Sequence, residues 1–209
     1  MSGTREEALI ECIRDATAAG VDWIQLREKD LAQRVQLDLT RRALAAAQTA
    51  TGGTRAAILV NDRLDVALAA GAGGVHLAET SLPVSIVARW KQGAIRAPGG
   101  DHLRNFLVGA SCHSREGAER AANDGADYIF FGPVFATPSK AAFGPPQGLE
   151  KLAEVCRAAK IPVIAIGGIT IENAQACIQA GAAGIAAISL FQRAKDLQGL
   201  VTELRKSLL

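Results

Sequence analysis

The sequence predicts an α/β fold of the TIM (β/α)8-barrel type, and an internal repeat carries the prediction. Four segments share a helix-like end, a glycine and a short apolar run, with the glycines at Gly20, Gly71, Gly125 and Gly181. The spacings of 51, 54 and 56 residues leave room for a further apolar run in each interval. Each period therefore holds two strand–helix units, which is one quarter of a (β/α)8 barrel.

Seven apolar runs predict the strands, and helices fill the intervals between them. The strands are expected near residues 23–27, 57–61, 74–77, 106–111, 127–132, 162–166 and 184–189. A helix is expected over 31–50. Hydroxyl side chains that can cap a helix predict the starts of three more: Thr4 for the helix 5–19, Ser114 for 115–124 and Thr170 for 171–180. This alternation implies parallel strands joined by right-handed crossovers.

The strand count is one short of eight. The repeat requires a strand before the first helix, but only residues 1–4 precede that helix. Either the natural chain begins earlier or the barrel lacks its first strand, and we expect an incomplete or patched barrel because an open parallel edge is a liability. No shift of composition marks a boundary, so residues 1–209 are predicted to form a single domain.

The composition excludes several classes of protein. Hydrophobic residues make up 49% of the 209 residues and charged residues 21%, which is too apolar for a disordered chain. Lys plus Arg number 23 against 21 Asp plus Glu, so no basic field indicates nucleic acid or a membrane as a partner. The longest uncharged run, 173–192, contains polar residues and predicts a helix and a strand rather than a membrane span.

The cysteines indicate the compartment. Cys12, Cys112, Cys156 and Cys177 are scattered, with no C-x-x-C pair and no histidine at ligand spacing. We therefore expect reduced thiols in a cytoplasmic protein rather than disulfides or a metal site. The sequence leaves open whether the chain forms a homo-oligomer.

Polar residues follow most of the predicted strands. Active sites of (β/α)8 barrels lie at the carboxyl ends of the strands. The residues expected there combine cations, carboxylates, hydroxyls and a glycine pair: Gln25, Arg27, Glu28, Lys29, Asn61, Asp62, His76, Glu79, Ser111, His113, Thr137, Ser139, Lys140, Gly167, Gly168 and Ser189. The Gly/Pro-rich stretch 136–148 lies where an active-site lid would lie.

The glycine pair predicts a phosphate site. Gly167 and Gly168 precede Thr170, the expected start of a helix, and Ser189 ends the neighbouring predicted strand. Glycines let backbone N–H groups approach a phosphate, and a helix N-terminus favours an anion. The alternative is that the pair only forms a tight turn between strand and helix.

Three cations and one carboxylate predict a second anion site. Arg27, Lys29 and Lys140 could neutralise a more highly charged group such as a diphosphate, the alternative being solvated charges at the rim. Asp62 could hold Mg²⁺, which binds one or two carboxylates together with phosphate oxygens and water. The alternative for Asp62 is a cap of the helix that begins near Arg63.

Two histidines and a cysteine complete the candidates. His113 is a candidate acid or base near neutral pH, the alternative being a loop histidine bonded to the backbone. His76 lies on the strand GVHL and is expected to pack or to support other residues. A nucleophilic role for Cys112 is disfavoured because no base is evident beside it.

Five stretches, taken together and in order, resemble the thiamine phosphate synthase/TenI family over nearly the whole chain. They are GVDWIQLREKDL (20–31), ILVNDRLDVALAAGAGGVHL (58–77), VGASCHS (108–114), GADYIFFGPVFATPSK (125–140) and IPVIAIGGIT with AGAAGIAAIS (161–189). The resemblance implies a (β/α)8 fold. It also implies one of two activities, because the synthase branch joins a pyrimidine diphosphate to a thiazole phosphate and releases diphosphate, whereas the other branch holds thiazole tautomerases.

The resemblance to the synthases implies a role for each matching residue. Those that would bind the hydroxymethylpyrimidine diphosphate are Gln25, Leu26, Arg27, Glu28, Lys29, Asn61, Ser111 and Lys140. Those that would hold the thiazole phosphate are Thr137, Pro138, Ser139, Gly168, Ile188 and Ser189. Asp62 would ligate Mg²⁺, and catalysis would rest on Arg27, Lys29 and Lys140, which neutralise the leaving diphosphate.

The chain departs from the synthase pattern at two places. Ser81 stands where the synthases usually have a second acidic metal ligand, and Glu79 lies out of register with that position. The strand that carries an ITDR-like segment in the family is absent from this chain. His113 stands where the tautomerase branch has a histidine suited to proton transfer, although the synthases often have one there too.

Three hypotheses follow from these residues. A thiamine phosphate synthase is favoured because the chain has residues suited to binding a diphosphate, which a tautomerase does not need. They are Arg27, Lys29, Asn61, Asp62 and the loop with Lys140. A thiazole tautomerase is the alternative, and Ser81 favours it. A non-catalytic, phosphate-binding relative is the third, favoured by the short N-terminus and the lost metal ligand.

Overall fold

The structure is a computed structural model that describes residues 2–50, 56–137 and 145–208. Helices and strands alternate along the described chain. The helices are α1 (Ser2–Ala18), α2 (Gln33–Thr49), α3 (Leu64–Ala70), α4 (Val84–Arg96), α5 (Arg115–Asn123), α6 (Gly148–Ala159), α7 (Ile171–Gln179), α8 (Ser189–Gln192) and α9 (Leu197–Leu208). The strands are β1 (Trp23–Leu26), β2 (Ala57–Asn61), β3 (Gly74–Leu77), β4 (Leu107–Cys112), β5 (Tyr128–Phe131), β6 (Val163–Ile166) and β7 (Gly184–Ala186).

The strands form one sheet in the order of the sequence, from β1 to β7. Parallel registers join β1 to β2, β2 to β3, β4 to β5, β5 to β6 and β6 to β7. Consecutive parallel strands with a helix between them confirm the predicted fold class, a (β/α)8-type barrel whose first strand is missing from this chain. In the described residues α1 precedes every strand.

The repeat glycines have the backbone conformation that the repeat predicted. Gly20, Gly71, Gly125 and Gly181 have φ angles of 90°, 75°, 94° and 99°. An L-residue with a side chain rarely adopts this left-handed region, so glycine ends each of these helices at low cost and turns the chain towards the next strand.

Two predicted boundaries are wrong. Helix α1 begins at Ser2, so the predicted helix start at residue 5 lies inside the helix. Strand β7 ends at Ala186, and Ser189 begins the short helix α8 instead of ending a strand. The apolar run around Ile188 is compatible with either structure, because a short run of this kind does not distinguish a strand from a helix.

The described chain divides into two compact units, and the first comprises residues within 1–76, 105–107 and 191–203. Its core joins α1, α2, β1 and β2 through buried residues that include Ile13, Leu26, Ala43 and Ile58. Small alanines on the buried face of α2 allow the helix to lie close to the strands. This core fixes the ends of β1 and β2, where the first group of candidate residues lies.

The second unit comprises residues within 77–104, 108–190 and 204–209. Strand β5 is buried along its whole length, as expected for a parallel strand covered by helices, and Tyr128, Ile129 and Phe131 are fully buried. A Cβ on Gly109 would lie 2.1 Å from the ring of Tyr128, so this large side chain requires a glycine on the neighbouring strand. The second group of candidate residues follows the strands of this unit.

Candidate active site

In the first unit, the candidate residues follow three neighbouring strands. Leu26 pairs with Val60 at the ends of β1 and β2, and Asn61 pairs with His76 of β3. The residues that come next are Arg27, Glu28 and Lys29 after β1 and Asp62 after β2. Arg27 and Lys29 are exposed, whereas Glu28 is half-buried.

Leu26 differs from its neighbours because its side chain belongs to the core. Any contact of Leu26 with a ligand would therefore come from its backbone. Gln25, one residue earlier, has a buried side-chain nitrogen, Nε2, that lacks a hydrogen-bond partner in the described part of the chain. A buried donor without a partner costs free energy, and such atoms are uncommon in native proteins. The atom is thus a candidate donor to a ligand.

Asp62 is held in an unusual conformation. Its φ is 61°, in the left-handed region that Asp tolerates better than most residues. The backbone N–H of Asp62 donates to the carbonyl of His76 at 2.9 Å, and Asn61 Nδ2 donates to Asp62 Oδ2 at 2.8 Å. The N-cap position of α3 is occupied by Arg63, which directly follows Asp62.

His76 is buried, as predicted, and packs inside the first unit. Burial lowers the pKa of its ring to about 4, and the nearby carboxylate of Asp62 opposes this only in part. The ring is therefore neutral at physiological pH, and it supports the sheet rather than supplying a charge.

In the second unit, Ser111 is half-buried near the end of β4, and Cys112 is buried beside it. Burial raises the pKa of the Cys112 thiol to about 11, with a smaller contribution from the carboxylate of Glu79. A thiol of this kind stays protonated near neutral pH. This agrees with the expectation that Cys112 is not a nucleophile.

His113 is exposed, and its Nδ1 bonds to the carbonyl oxygen of Gly132. This is the backbone contact that the alternative interpretation of His113 expected. A carbonyl only accepts, so Nδ1 carries the proton. In the neutral ring Nε2 is then an acceptor, and its lone pair can take a proton. The contact therefore leaves the acid–base hypothesis for His113 open.

The glycine pair forms a tight turn against the loop that follows β5. Gly167 and Gly168 have φ angles of 95° and 68°. A Cβ on Gly167 would lie 2.6 Å from Pro133, and one on Gly168 would lie 2.7 Å from the carbonyl oxygen of Ala136. The N–H of Phe135 also donates to the carbonyl of Gly167 at 3.0 Å. Both glycines are thus required by backbone conformation and by the close approach of the two loops.

Asn173 holds this turn, a role that the sequence analysis missed. Its Nδ2 donates to the carbonyl of Gly168 at 2.9 Å, and its Oδ1 accepts from the backbone N–H of Thr170 at 2.8 Å. Thr170 is the N-cap of α7, as predicted. The pattern of a threonine followed three residues later by a polar amide resembles a capping box and could have revealed the contact.

The remaining predicted residues are distributed as follows. Thr137 is half-buried after β5, and Ile188 is 64% exposed next to Ser189, which is also exposed. Pro138, Ser139 and Lys140 lie outside the described residues.

The loop after β3 carries the departure from the synthase pattern. Ser81 Oγ accepts from the backbone N–H of Ala78 at 2.9 Å, and the N–H of Ser81 donates back to the carbonyl of Ala78 at 3.0 Å. Ser81 thus stabilises a turn in this loop, and Glu79 is exposed beside it. Within the described residues, His, Cys, Asp and Glu form no group of three that could hold a metal ion.

Comparison with known proteins agrees with this arrangement. The sequence profile of the family described as thiamine monophosphate synthase matches residues 1–191. The chain belongs to the thiamine monophosphate synthase family. A thiamine-phosphate synthase of Methanoculleus marisnigri is 45% identical over 192 residues, which cover 92% of this chain and 84% of that protein. A thiamine-phosphate synthase of Roseiflexus castenholzii is 41% identical over 194 residues, which cover 91% of this chain and 77% of that protein.

A solved structure of the family has the same fold. Thiamine phosphate pyrophosphorylase from Pyrococcus furiosus superposes with a TM-score of 0.78 at 34% sequence identity, covering 95% of this chain and 88% of that one. Membership of the family confirms the resemblance drawn from the five stretches. No helix in the described part of the chain is long and apolar enough to span a membrane.

Proposed function

We propose that this chain is a thiamine phosphate synthase, a transferase that condenses hydroxymethylpyrimidine diphosphate with thiazole phosphate. The relatives that carry this name support the proposal. The observation that carries it is the buried Nε2 of Gln25, a donor that has no partner among the described residues and precedes the cations Arg27 and Lys29. A ligand with acceptor atoms and a high negative charge satisfies both features.

In the proposed reaction, the bond between the pyrimidine methylene carbon and the diphosphate oxygen breaks. The thiazole nitrogen then forms a bond to that carbon, and diphosphate leaves with the bonding electrons. The step needs neutralisation of the leaving group and correct placement of the nucleophile more than it needs acid–base catalysis. Arg27, Lys29 and Lys140 would supply the positive charge.

The two compact units would serve different parts of the substrates. Gln25, Asn61 and the loop 27–29 of the first unit would bind the pyrimidine diphosphate. The second unit would bind the thiazole phosphate, because the turn at Gly168 and the N-terminus of α7 favour an anion. Thr137, Ser139, Ile188 and Ser189 would complete the phosphate site.

Asp62 would hold Mg²⁺. Its carboxylate is half-buried and oriented by Asn61, and Mg²⁺ accepts a site with a single protein carboxylate when phosphate oxygens and water complete the shell. The ion would neutralise negative charge on the diphosphate. Ser81 supplies no second carboxylate, so we expect weak Mg²⁺ binding without the diphosphate and tighter binding with it.

The experiment is synthesis of thiamine phosphate by the purified protein from both phosphorylated substrates and Mg²⁺. We expect product and diphosphate in equal amounts. Lys140→Ala should abolish most of the activity, whereas Lys206→Ala, which removes an exposed lysine on α9, should leave it unchanged. Absence of product together with tight binding of thiazole phosphate would reject the synthase.

A tautomerase is the second candidate, and the acceptor Nε2 of His113 favours it. If the chain is a tautomerase, it should catalyse proton exchange on the carboxylated thiazole phosphate. His113→Ala should stop the exchange and leave binding intact. Binding of the phosphates with neither synthesis nor exchange would indicate a non-catalytic relative. We also propose a cytoplasmic location, in keeping with the scattered cysteines.

A further inference from the structure

A buried glutamine lies on the apolar face of α2. Gln36 is 4% exposed, and its neighbours on the same face of the helix include Leu39 and Ala43, which are also buried. Glutamine is mostly exposed in proteins, and a buried amide requires a hydrogen-bond partner. Gln36 Nε2 donates to the backbone carbonyl of Glu28 at 3.3 Å. The helix therefore contacts the loop after β1 through a polar group at a position typical of an apolar residue.

Glu28 lies between the two exposed cations of this loop. The carbonyl of Glu28 belongs to the peptide group that joins Glu28 to Lys29, so holding it restrains the Cα of Lys29 directly and that of Arg27 through Glu28. Both side chains are long and flexible, so their average position depends on where the backbone holds their Cα atoms. A contact at Glu28 affects both cations at once.

A second contact links α2 to the neighbouring loop. Gln33 Nε2 donates to the carboxylate of Asp65. Asp65 is bound by both Nε and Nη2 of Arg63, at 2.9 Å and 2.7 Å, and Arg63 directly follows Asp62. The first turn of α2 is thus bonded to the turn that carries the proposed Mg²⁺ ligand, while Gln36 is bonded to the loop with the cations.

We propose that Gln36 is a positioning residue, which orients Arg27 and Lys29 for the diphosphate by holding the carbonyl of Glu28. The inference rests on the proposed function and extends it to a residue that touches no substrate. In this proposal, α2 sets the distance between the cations of the loop after β1 and Asp62 of the loop after β2.

A matched pair of variants tests the proposal. Gln36→Met keeps the volume and removes the donor. Thr40→Val is the control, because Thr40 is fully buried one turn further along α2, and its Oγ1 donates at 2.7 Å to the carbonyl of Gln36 inside the helix. Each variant loses one side-chain hydrogen bond to a backbone carbonyl, but that of Thr40 does not reach the loop.

The measurements are the affinity for inorganic diphosphate by calorimetry and the KM for each of the two substrates. Gln36→Met should weaken diphosphate binding and raise the KM for the pyrimidine diphosphate, each about five- to tenfold, the range expected when one hydrogen bond no longer organises a charged site. The KM for the thiazole phosphate should change by less than about twofold. Thr40→Val should change neither the affinity for diphosphate nor the KM for either substrate.

Three results would overturn the proposal: equal diphosphate affinity in Gln36→Met and Thr40→Val, equal loss of affinity for both substrates, or no diphosphate binding by the natural sequence. If Gln36→Met does not fold, Gln36→Leu provides the same comparison with a residue common on buried helix faces. A chain that binds diphosphate but makes no thiamine phosphate would reject the proposed function and leave the role of Gln36 standing. An active synthase in which both variants behave alike would reject the role of Gln36 alone.

Discussion

Asn61 donates its side-chain amide to the carboxylate of Asp62, with Nδ2 and Oδ2 2.8 Å apart. The two residues are adjacent in sequence, and Asp62 adopts a left-handed conformation with φ of 61°. Asn61 is buried at the end of β2, so the carboxylate is held by a residue that is itself fixed by the sheet. The proposed Mg²⁺ ligand is therefore oriented before any ion arrives.

This relationship predicts different effects for two substitutions of Asp62. Asp62→Asn should keep the stability of the protein, because Asn also tolerates the left-handed region, but activity should fall about 100-fold since a catalytic metal contributes several kcal/mol. Asp62→Ala should lose the same activity and also about 1 kcal/mol of stability from backbone strain. Urea unfolding and rates at increasing Mg²⁺ measure both effects. Unchanged activity in Asp62→Asn would exclude Asp62 as the ligand.

The unpartnered nitrogen of Gln25 predicts a separation of stability from function. Gln25→Leu removes a buried donor that has no partner in the described chain, so the free energy of unfolding should stay the same or rise by up to about 1 kcal/mol. The KM for the pyrimidine diphosphate should rise about tenfold, as one hydrogen bond to the substrate is lost. Gln48→Leu is the control, because Gln48 is an exposed glutamine of the same unit. A large loss of stability in Gln25→Leu would show that its amide has a structural partner.

The glycine turn after β6 predicts a contrast between two Gly→Ala substitutions. At Gly168, with φ of 68° and a virtual Cβ 2.7 Å from a backbone oxygen, alanine should cost roughly 2–4 kcal/mol and weaken thiazole phosphate binding. At Gly93, inside α4 with no atom within 4 Å of the virtual Cβ, alanine should be neutral or should stabilise by about 0.5–1 kcal/mol. Thermal unfolding of both variants measures the contrast, and equal Tm values would contradict it.

The thiols predict a pattern of chemical reactivity. Burial raises the pKa of Cys112 to about 11 and that of Cys177 to about 11. At pH 8 a group with this pKa is about 0.1% thiolate, the form that reacts with iodoacetamide. Both cysteines should therefore be protected in the native protein and react rapidly after unfolding, as mass spectrometry would show. Rapid labelling of Cys112 in the native protein would reopen its role as a nucleophile.

The sequence predicted the strands and several local features because these depend on local chemistry. Ser114 accepts from the N–H of Gly117 at 3.0 Å as the cap of α5, and the repeat glycines adopt positive φ. Both are properties of residue types at helix ends. The misplaced end of β7 shows the limit of this reasoning, since the apolar run around Ile188 suits either structure.

The supporting contacts of the site could not be predicted in the same way. Gln36 is of a residue type that is mostly exposed in proteins, and its hydrogen bond to the carbonyl of Glu28 is visible only in the structure. Asp62 likewise has a left-handed backbone conformation, and its N–H donates to the carbonyl of His76 on β3. These contacts join residues 8 and 14 positions apart that lie on different elements, and a single sequence contains no signal for them.

The measurement that most directly tests the central claim is the stoichiometry of the reaction of the purified chain with both phosphorylated substrates and Mg²⁺. We predict one thiamine phosphate and one diphosphate for each pyrimidine diphosphate consumed, with both products lost in Lys140→Ala. Proton exchange on the carboxylated thiazole phosphate without any thiamine phosphate would contradict the account and assign the chain to the tautomerases.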